Sequence, residues 1–287
     1  MLTGLIAQLL NGVQYGLLLF LISSGLTLIF GVMGVINLAH GSLFMIGAYL
    51  AFGVASLTGS LWLALPVAVL GGAVFGAVLE RLLFRRFRTR AHLDQVLLTF
   101  ALILLFEEGR STLAGNQFHS VPVPGVLDFS VPVIGGFGYS AYRLAVLVIC
   151  LIVAAGLVWL IERTRVGSAI RAAAENTEML NLLGFDAGRV HTMVFAGGTA
   201  LAMLAGALAA PLQSVYPGMG DGFLILSFIV VVIGGLGSVA GAFWAALLVG
   251  LIDTLGKAYL PQAAGIAVCA MMAVVLLWRP TGLFSRT

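Results

Sequence analysis

The chain has 287 residues, of which 61% are hydrophobic and 9% charged, with a mean hydropathy of +1.13. Soluble domains carry about 25% charged residues, so this composition excludes a soluble globular domain. It predicts an all-α polytopic membrane protein in contact with lipid, because an open sheet cannot satisfy its backbone there. The Lys and Arg residues behind the net charge of +3 lie at segment ends, which argues against nucleic acid as a partner.

Apolar segments in chain order predict eight or nine crossings, some of them short or broken. Residues 2–36 are too long for one straight span of a hydrocarbon core of about 30 Å, so we expect an interfacial or tilted piece to about Gly12 and a span to about Gly34. No Lys or Arg precedes Arg81, and we expect no cleavable signal peptide. The other predicted spans are 38–57, 61–84, 95–113, 141–161, 190–212, a broken segment 223–259 that contains a short arm, and 263–278.

The positive charges predict the orientation of this single transmembrane domain over residues 1–287. Five Arg lie in 81–90, four in 163–189 and two in the C-terminal tail, which leaves three of the 14 Lys and Arg residues elsewhere. By the positive-inside rule, residues 163–189 and the C-terminus are cytoplasmic, and the loop 115–142 lies on the other side.

Residues 163–189 are the one long polar excursion on the predicted cytoplasmic side. Ser168 is a candidate N-cap, Gly184 stands where a helix stop is expected, and apolar residues between them recur at roughly helical spacing. We expect a short, half-apolar helix. It either docks in a partner's groove or forms a solvated connector or a helix on the lipid surface.

Asn37, His40 and Ser42 form a polar cluster in an otherwise apolar segment. Such groups are costly in lipid unless they face the bundle interior or water. Asn37 and Gly41 also weaken a helix locally, which favours an unwound segment lining a transport pathway. The alternative is that these side chains hold neighbouring helices together by hydrogen bonds.

The glycine run at Gly234, Gly235 and Gly237 predicts a second helix break, with Gly41 as its counterpart in the first third of the chain. The strings VINLAHGS and VIGGLGS share their opening and their close. Paired glycine-interrupted segments point to structural repeats around a central site. We therefore hold an inverted repeat as a hypothesis, with chance similarity as its alternative.

The sequence carries no phosphate-binding loop, nucleotide fingerprint, zinc-protease motif or Cys/His metal spacing. We therefore expect no enzyme activity, no cofactor and no metal site, and a pump would need energy from another subunit. Membrane acids are few and peripheral in this interpretation. Asp253 and Lys257 are expected to form an i,i+4 helical pair.

Several motifs resemble those of the branched-chain amino acid ABC importer permeases, specifically the H-type subunit. The motifs span nearly the whole chain and are GLTLIFGVMGVINLAHGSLFMIGAYLA from Gly25, RAAAEN from Arg171, LLGF from Leu182, IGGLGSVAGA from Ile233 and the terminal RPTGLF. The resemblance implies a multi-pass subunit of a bacterial inner membrane. Its partners would be a homologous second permease, two cytoplasmic ATPase subunits that hydrolyse ATP, and a periplasmic substrate-binding protein.

The resemblance also implies roles for individual residues. The polar excursion would be the coupling helix that sits in a cleft of the ATPase. Its candidate coupling residues are Arg171, Ala173, Glu175, Asn176, Leu183 and Gly184.

The solute that the resemblance implies is an amino acid, with the branched-chain class first. Urea, amides and aromatic acids are alternatives within the family. A stand-alone channel and an ion-coupled secondary transporter are alternatives outside it.

Overall fold

The structure, a computed structural model, describes residues 2–88, 90–133, 137–182 and 184–284. The helices are α1 (Leu2–Met33), α2 (His40–Thr58), α3 (Leu61–Leu79), α4 (Arg85–Phe87), α5 (His92–Ala114), α6 (Ala141–Arg163), α7 (Arg165–Glu175), α8 (Thr177–Leu182), α9 (Ala187–Ala209), α10 (Met219–Gly234), α11 (Val239–Tyr259) and α12 (Ala264–Trp278). A π-helical turn, Glu80–Phe84, joins α3 to α4, and a 3₁₀ turn, Gly125–Leu127, follows α5. The strands β1 (Ser130–Val133) and β2 (Phe137–Ser140) form an antiparallel hairpin that pairs Ser130 with Ser140.

Six stretches of the described chain are long and apolar enough to cross a membrane: α1, α2, α3 with its extension to Phe87, α6, α9 and α11. Helices α10 and α12 are shorter and apolar, and α5 covers the fourth predicted span. Large apolar side chains such as Leu70, Ile152 and Ile266 lie exposed on the outside of the bundle. Exposed apolar patches of this kind mark contact with lipid or another protein. The chain is therefore an all-α polytopic membrane protein, as its composition predicts.

Helix α1 is the centre of the bundle and packs against α6, α9, α10 and α11. The expected division of this segment near Gly12 is wrong, because α1 is continuous from Leu2 to Met33. Its early polar side chains, Gln8, Asn11 and Gln14, face a cavity rather than an interface with the membrane surface. They therefore need no break in the helix.

Two helix breaks lie close together at one end of the bundle. Gly34 has a φ of +66°, a left-handed conformation that glycine adopts without strain, and the backbone stays non-helical until α2 begins. Gly235 and Gly237, with φ of +95° and +82°, separate α10 from α11. A Cβ on Gly31 of α1 would lie 2.9 Å from the Cα of Gly237, so the two breaks adjoin through the end of α1.

The expected helix break at Gly41 is wrong. Gly41 lies in the first turn of α2, and the break precedes it, at residues 34–39. A Cβ at Gly41 would lie 2.6 Å from the carbonyl oxygen of Gly220 in α10. The glycine is thus needed for close packing of two helices, a use of small residues typical of membrane bundles.

The polar excursion forms two helices where the sequence predicts one. Thr164 is the N-cap of α7, since its hydroxyl accepts a hydrogen bond from Gly167 N at 3.0 Å, and the expected cap, Ser168, lies inside the first turns. The backbone is extended at Asn176, where α7 ends, and α8 follows. Gly184 has a φ of +84° just beyond α8.

Candidate functional site

Two cavities enter the bundle from opposite ends, and α1 lines both of them. The loop-end cavity, about 390 Å³, lies on the side of the loop 115–142 and contacts α1 from Gln8 to Leu18. The arginine-end cavity, about 510 Å³, lies beside the polar excursion and contacts α1 from Thr27 to Val32. The residues between Leu18 and Thr27 span about 14 Å at a rise of 1.5 Å per residue. We call this stretch of α1, Leu19–Leu26, the closed zone.

The loop-end cavity is lined by polar and charged side chains. Arg143 of α6 donates from Nη1 to Asn11 Oδ1 at 3.0 Å, and Asn11 Oδ1 also accepts from the Tyr139 hydroxyl at 3.2 Å. Burial raises the pKa of Tyr139, while the nearby Arg143 opposes that shift. The Tyr139 hydroxyl therefore stays protonated and donates to the amide.

Aromatic rings form the apolar part of this cavity. Tyr15 and Phe223 line it, and their ring centroids are 5.7 Å apart. Phe223 stacks on Phe44 of α2 with a centroid distance of 4.2 Å. Phe44 and His40 are four residues apart on α2 and therefore share a face of that helix. The stacked rings thus stand between the cavity and the polar cluster of α2.

His40 reaches the closed zone directly. Its Nε2 lies 3.0 Å from the carbonyl oxygen of Ile22, and both residues are buried. Asn37 is also buried, and its Oδ1 accepts a hydrogen bond from Ala39 N at 3.1 Å. Ser42 is buried in the first turn of α2. These three residues line neither cavity, and all three are buried.

Several buried polar atoms near this level have no hydrogen-bond partner among the described residues. Buried polar groups normally form hydrogen bonds, and an exception usually means that the group binds a water molecule or has a functional role. In lipid such groups mark solute or ion pathways. The atoms include Ser23 Oγ and Thr27 Oγ1 of α1, Asn37 Nδ2, His40 Nδ1, Thr199 Oγ1 of α9 and Ser227 Oγ of α10.

The polar excursion is fixed to the arginine-end cavity. Arg171 and Glu175 of α7 line that cavity together with Gly237 from the second helix break. Ala173, by contrast, is buried against the bundle. Asn176 lies exposed at the junction of α7 and α8, and Leu183 lies outside the described residues. A displacement of α7 would therefore change the shape of the cavity.

The junction of α6 and α7 is tightly packed. Arg171 donates a hydrogen bond from Nη1 to the carbonyl of Ile161, and Thr164 donates to the carbonyl of Leu160 at 2.6 Å. A methyl group at Gly167 would overlap the carbonyl oxygens of Leu160 and Ile161. These contacts join α7 to the end of α6 as one unit.

Two exposed apolar side chains of the polar excursion are not among the coupling residues predicted from the sequence. Leu182 is 87% exposed and Phe185 is 51% exposed, on either side of the turn at Gly184. Leu180, nearby on α8, is buried and fixes the segment to the bundle. The LLGF string contains both exposed residues, but the sequence does not tell which of its apolar residues point outward.

Glu80 is a second residue that sequence reasoning missed. It is fully buried in the π-helical turn after α3, where it pairs with Arg88 and with Thr192 of α9. The expectation that membrane acids are peripheral is therefore wrong at this position. The expected pair of Asp253 and Lys257 is confirmed, with Lys257 Nζ 2.6 Å from Asp253 Oδ2.

Residues 8–277 match the model of the family described as branched-chain amino acid transport system / permease component. The chain belongs to this family. It is 30% identical to the high-affinity branched-chain amino acid transport system permease protein BraD of Pseudomonas aeruginosa, over 97% of this chain and 95% of BraD.

Two further relatives of this permease family come from Escherichia coli. The permease protein LivH is 29% identical to the chain over 97% of its length and 95% of LivH. The permease protein LivM is 27% identical over 92% of the chain and 67% of LivM. No solved structure matches the chain.

Three of the motifs that carry the family resemblance supply residues to the closed zone or to the arginine-end cavity. The segment with Asn37 and His40 contacts the closed zone, RAAAEN supplies Arg171 and Glu175 to the arginine-end cavity, and the glycine run closes the same cavity through Gly237.

Proposed function

We propose that this chain is the permease subunit of an ATP-binding-cassette importer that passes branched-chain amino acids, or similar small polar solutes, from a periplasmic binding protein into the cytoplasm. The observation that carries the proposal is the arrangement of two cavities on one helix, separated by a closed zone of about 14 Å. A protein with two entrances and a closed centre suits alternating access, since each state needs only one side open.

The proposed orientation places the loop end in the periplasm and the arginine end in the cytoplasm of a bacterial cell. Its support is the distribution of Lys and Arg residues. The protein would then be a multi-pass inner-membrane protein with a cytoplasmic C-terminus. Residues 163–189 would form the cytoplasmic coupling segment of a single transmembrane domain, and residues 115–142 its periplasmic loop.

The proposed partners are two ATPase subunits, a periplasmic binding protein and a second permease. The similarity to LivM, a differently named permease of the same transport system in Escherichia coli as LivH, supports a pair of homologous permeases. ATP would be hydrolysed by the partner subunits. The chain itself would have no enzymatic role and bind no cofactor.

Coupling would run from the ATPase through α7 and α8 to the arginine-end cavity. Leu182 and Phe185 are exposed large apolar side chains, which in a patch mark a contact with another protein or with lipid. Closure of the ATPases would move α8 and α7, and the Arg171 hydrogen bond to Ile161 would carry this movement into α6. Since Ile161 and Gly237 line the same cavity, the movement would reach the glycine break.

The closed zone would open between Ser23 and the polar cluster of α2. Asn37, His40 and Ser42 would then line the passage, and the unpartnered polar atoms would be hydrated or bind solute. The glycine break at residues 235–238 would allow α10 and α11 to change their relative angle, as loop residues at element ends often do.

The test is uptake by the reconstituted importer. The chain is co-expressed with a second permease, two ATPases and a binding protein from the same organism, and proteoliposomes are assayed for uptake of labelled L-leucine. We expect uptake that needs ATP and the binding protein. Uptake of urea, an amide or an aromatic acid instead of leucine would overturn the substrate class.

Two results would overturn the importer itself. Solute flux through the chain reconstituted alone would indicate a channel, and uptake driven by an ion gradient would indicate a secondary transporter. Labelling of cysteines introduced within residues 163–189 by a membrane-impermeant reagent added to intact cells would contradict the orientation.

A further inference from the structure

The loop-end cavity contains a guanidinium group without an acidic partner. Among the described residues, no carboxylate forms an ion pair with Arg143. Its Nη1 donates to the amide oxygens of Asn11 at 3.0 Å and Gln14 at 3.5 Å, and the Tyr139 hydroxyl lies nearby. A guanidinium has five N–H donors, so several remain for a ligand in a cavity that Arg143 itself lines.

The same cavity contains one acid. Asp253 is buried, and its Oδ2 accepts from Lys257 Nζ at 2.6 Å, while the described residues supply no hydrogen bond to its other oxygen. Lys257 is exposed along most of its side chain, so its hold on Asp253 is weakened by water. With the pair of Asp253 and Lys257 neutral as a unit, the cavity keeps one uncompensated positive charge at Arg143.

The remaining wall has a polar part, formed by Gln8, Gln213 and Thr254, and an apolar part. Leu18, Leu212, Ala209 and the rings of Tyr15 and Phe223 form the apolar part. Carboxylate, ammonium and apolar side chain are the three parts of an apolar amino acid, and the cavity presents a complementary group to each. A guanidinium recognises a carboxylate by paired, charge-assisted hydrogen bonds. Lys257 Nζ pairs with Asp253 and lies 5.6 Å from the centroid of the Tyr15 ring. An ammonium group of a ligand would therefore replace that of Lys257 beside Asp253 and the ring.

We propose that the loop-end cavity is a binding site for an apolar amino acid in its zwitterionic form, with Arg143 holding the carboxylate and Asp253 the ammonium group. This inference rests on the proposed function and narrows its substrate class. Urea and simple amides carry neither charge and leave Arg143 unpaired, so the cavity discriminates against them. It is an intermediate binding site, which the solute occupies between its release from the binding protein and its entry into the closed zone.

The position of the cavity beside the closed zone agrees with the role of an intermediate binding site. Phe223 lines the cavity and stacks on Phe44, whose helix places His40 one turn further along the same face. A bound amino acid would therefore rest directly on the aromatic pair that separates the cavity from the polar cluster. Separation of Phe223 from Phe44 would admit it to the pathway.

Binding to the full chain in lipid nanodiscs tests the proposal without any partner subunit. Saturation-transfer NMR is recorded with four probes: L-leucine, L-leucinamide, which lacks the carboxylate, 4-methylpentanoate, which lacks the ammonium group, and urea. We expect saturable leucine binding and affinities at least about tenfold weaker for leucinamide and urea, the change expected when a hydrogen bond to a charged group is lost. The carboxylate probe should bind with intermediate affinity.

Variants locate the site. Arg143→Gln should weaken leucine binding at least about tenfold, and Arg110→Gln, a matched change of an arginine that does not line the cavity, should leave it unchanged. Asn11→Asp provides a second variant that keeps Arg143. The new carboxylate would occupy its guanidinium and compete with the ligand, so leucine binding should fall there too. Asp253→Asn should weaken leucine but not 4-methylpentanoate.

Several outcomes would overturn the proposal. They are equal binding of leucine and leucinamide, wild-type leucine affinity in Arg143→Gln, and absence of saturable leucine binding by the folded wild-type chain. These results are independent of the importer test. An importer that takes up leucine with ATP while its permease binds none refutes only the site, and a permease that binds leucine without ATP-driven uptake refutes only the importer.

Discussion

Thr192 Oγ1 lies 2.6 Å from Glu80 Oε2, although the two residues are 112 positions apart in the chain. The same carboxylate accepts a hydrogen bond from Arg88 Nη2 through Oε1 at 2.9 Å. Glu80 belongs to a π-helical turn, a local widening that is frequent at functional sites. The contact joins α3 to α9 at the end of the bundle where the arginine-rich loop begins.

Removal of Arg88 should destabilise the protein strongly. Arg88→Gln leaves a fully buried carboxylate without a positive partner. Breaking a fully buried pair costs about 3–5 kcal/mol, and we expect the lower end here because Arg88 is 29% exposed. Thermal unfolding in detergent, followed by tryptophan fluorescence, measures the effect. Arg90→Gln is the matched control, since Arg90 is exposed in the same loop. The double variant Glu80→Gln/Arg88→Gln should recover part of the loss, and its failure to do so would contradict an ion-pair role.

The close contact between α1 and α11 should not tolerate a residue larger than glycine at position 16. A Cβ at Gly16 would lie 2.8 Å from the carbonyl oxygen of Ala246. Gly16→Val should therefore reduce folded yield and cost about 1–3 kcal/mol, the range for overpacked cores. Fluorescence-detected size-exclusion chromatography gives the readout. Gly53→Val, at a position with open space around it, should behave like the wild type, and equal behaviour of both variants would refute the close approach.

Substitution of Arg171 or Glu175 should uncouple the proposed importer. Both side chains line the arginine-end cavity, and Arg171 holds the end of α6. We expect Arg171→Ala and Glu175→Ala to abolish ATP hydrolysis that is stimulated by the loaded binding protein, while membrane insertion stays normal. Arg86→Gln, an exposed arginine of α4, is the control. Transport at the wild-type rate in either alanine variant would remove these residues from the coupling path.

Leu182 and Phe185 should anchor the ATPase subunits. Burial of a Leu or Phe side chain in an interface contributes about 1.5–3 kcal/mol, and serine removes most of it, so Leu182→Ser/Phe185→Ser should lose the ATPases during purification in detergent. Co-purification of tagged permease with its ATPases measures this directly. Leu113→Ser supplies the control, because Leu113 is as exposed but lies at the end of α5. Undiminished recovery of the ATPases with the double variant would place the docking surface elsewhere.

His40→Ala should slow uptake more than it lowers stability. His40 contacts the backbone of Ile22 in the closed zone. Tyr142→Phe removes a comparable bond between a side chain and the backbone, from the Tyr142 hydroxyl to the carbonyl of Leu208, away from the polar cluster. Uptake rate and melting temperature are measured for both. Equal loss of uptake in the two variants, or normal transport in His40→Ala, would assign His40 to packing.

The sequence alone predicts the membrane class and the approximate helix positions, because transfer of apolar side chains into lipid depends on composition and segment length. It also predicts the local pair of Asp253 and Lys257, which are one helical turn apart. The glycine run predicts where α10 and α11 separate, because glycine adopts positive φ at Gly235 and Gly237 without strain.

Tertiary structure alone decided which of these residues meet. Glycine as a residue type suggests a helix break at Gly41. The reason for a glycine there is the close approach of Gly220 from another helix, which only the fold shows. Ser168 is as good a cap as Thr164 by residue type, and the packing of α7 on the end of α6 selected Thr164. Glu80, Thr192, Arg143 and Asn11 are far apart in the chain. Their pairing arises because burial in a bundle forces polar groups to find partners wherever the helices cross, and no local pattern records those crossings.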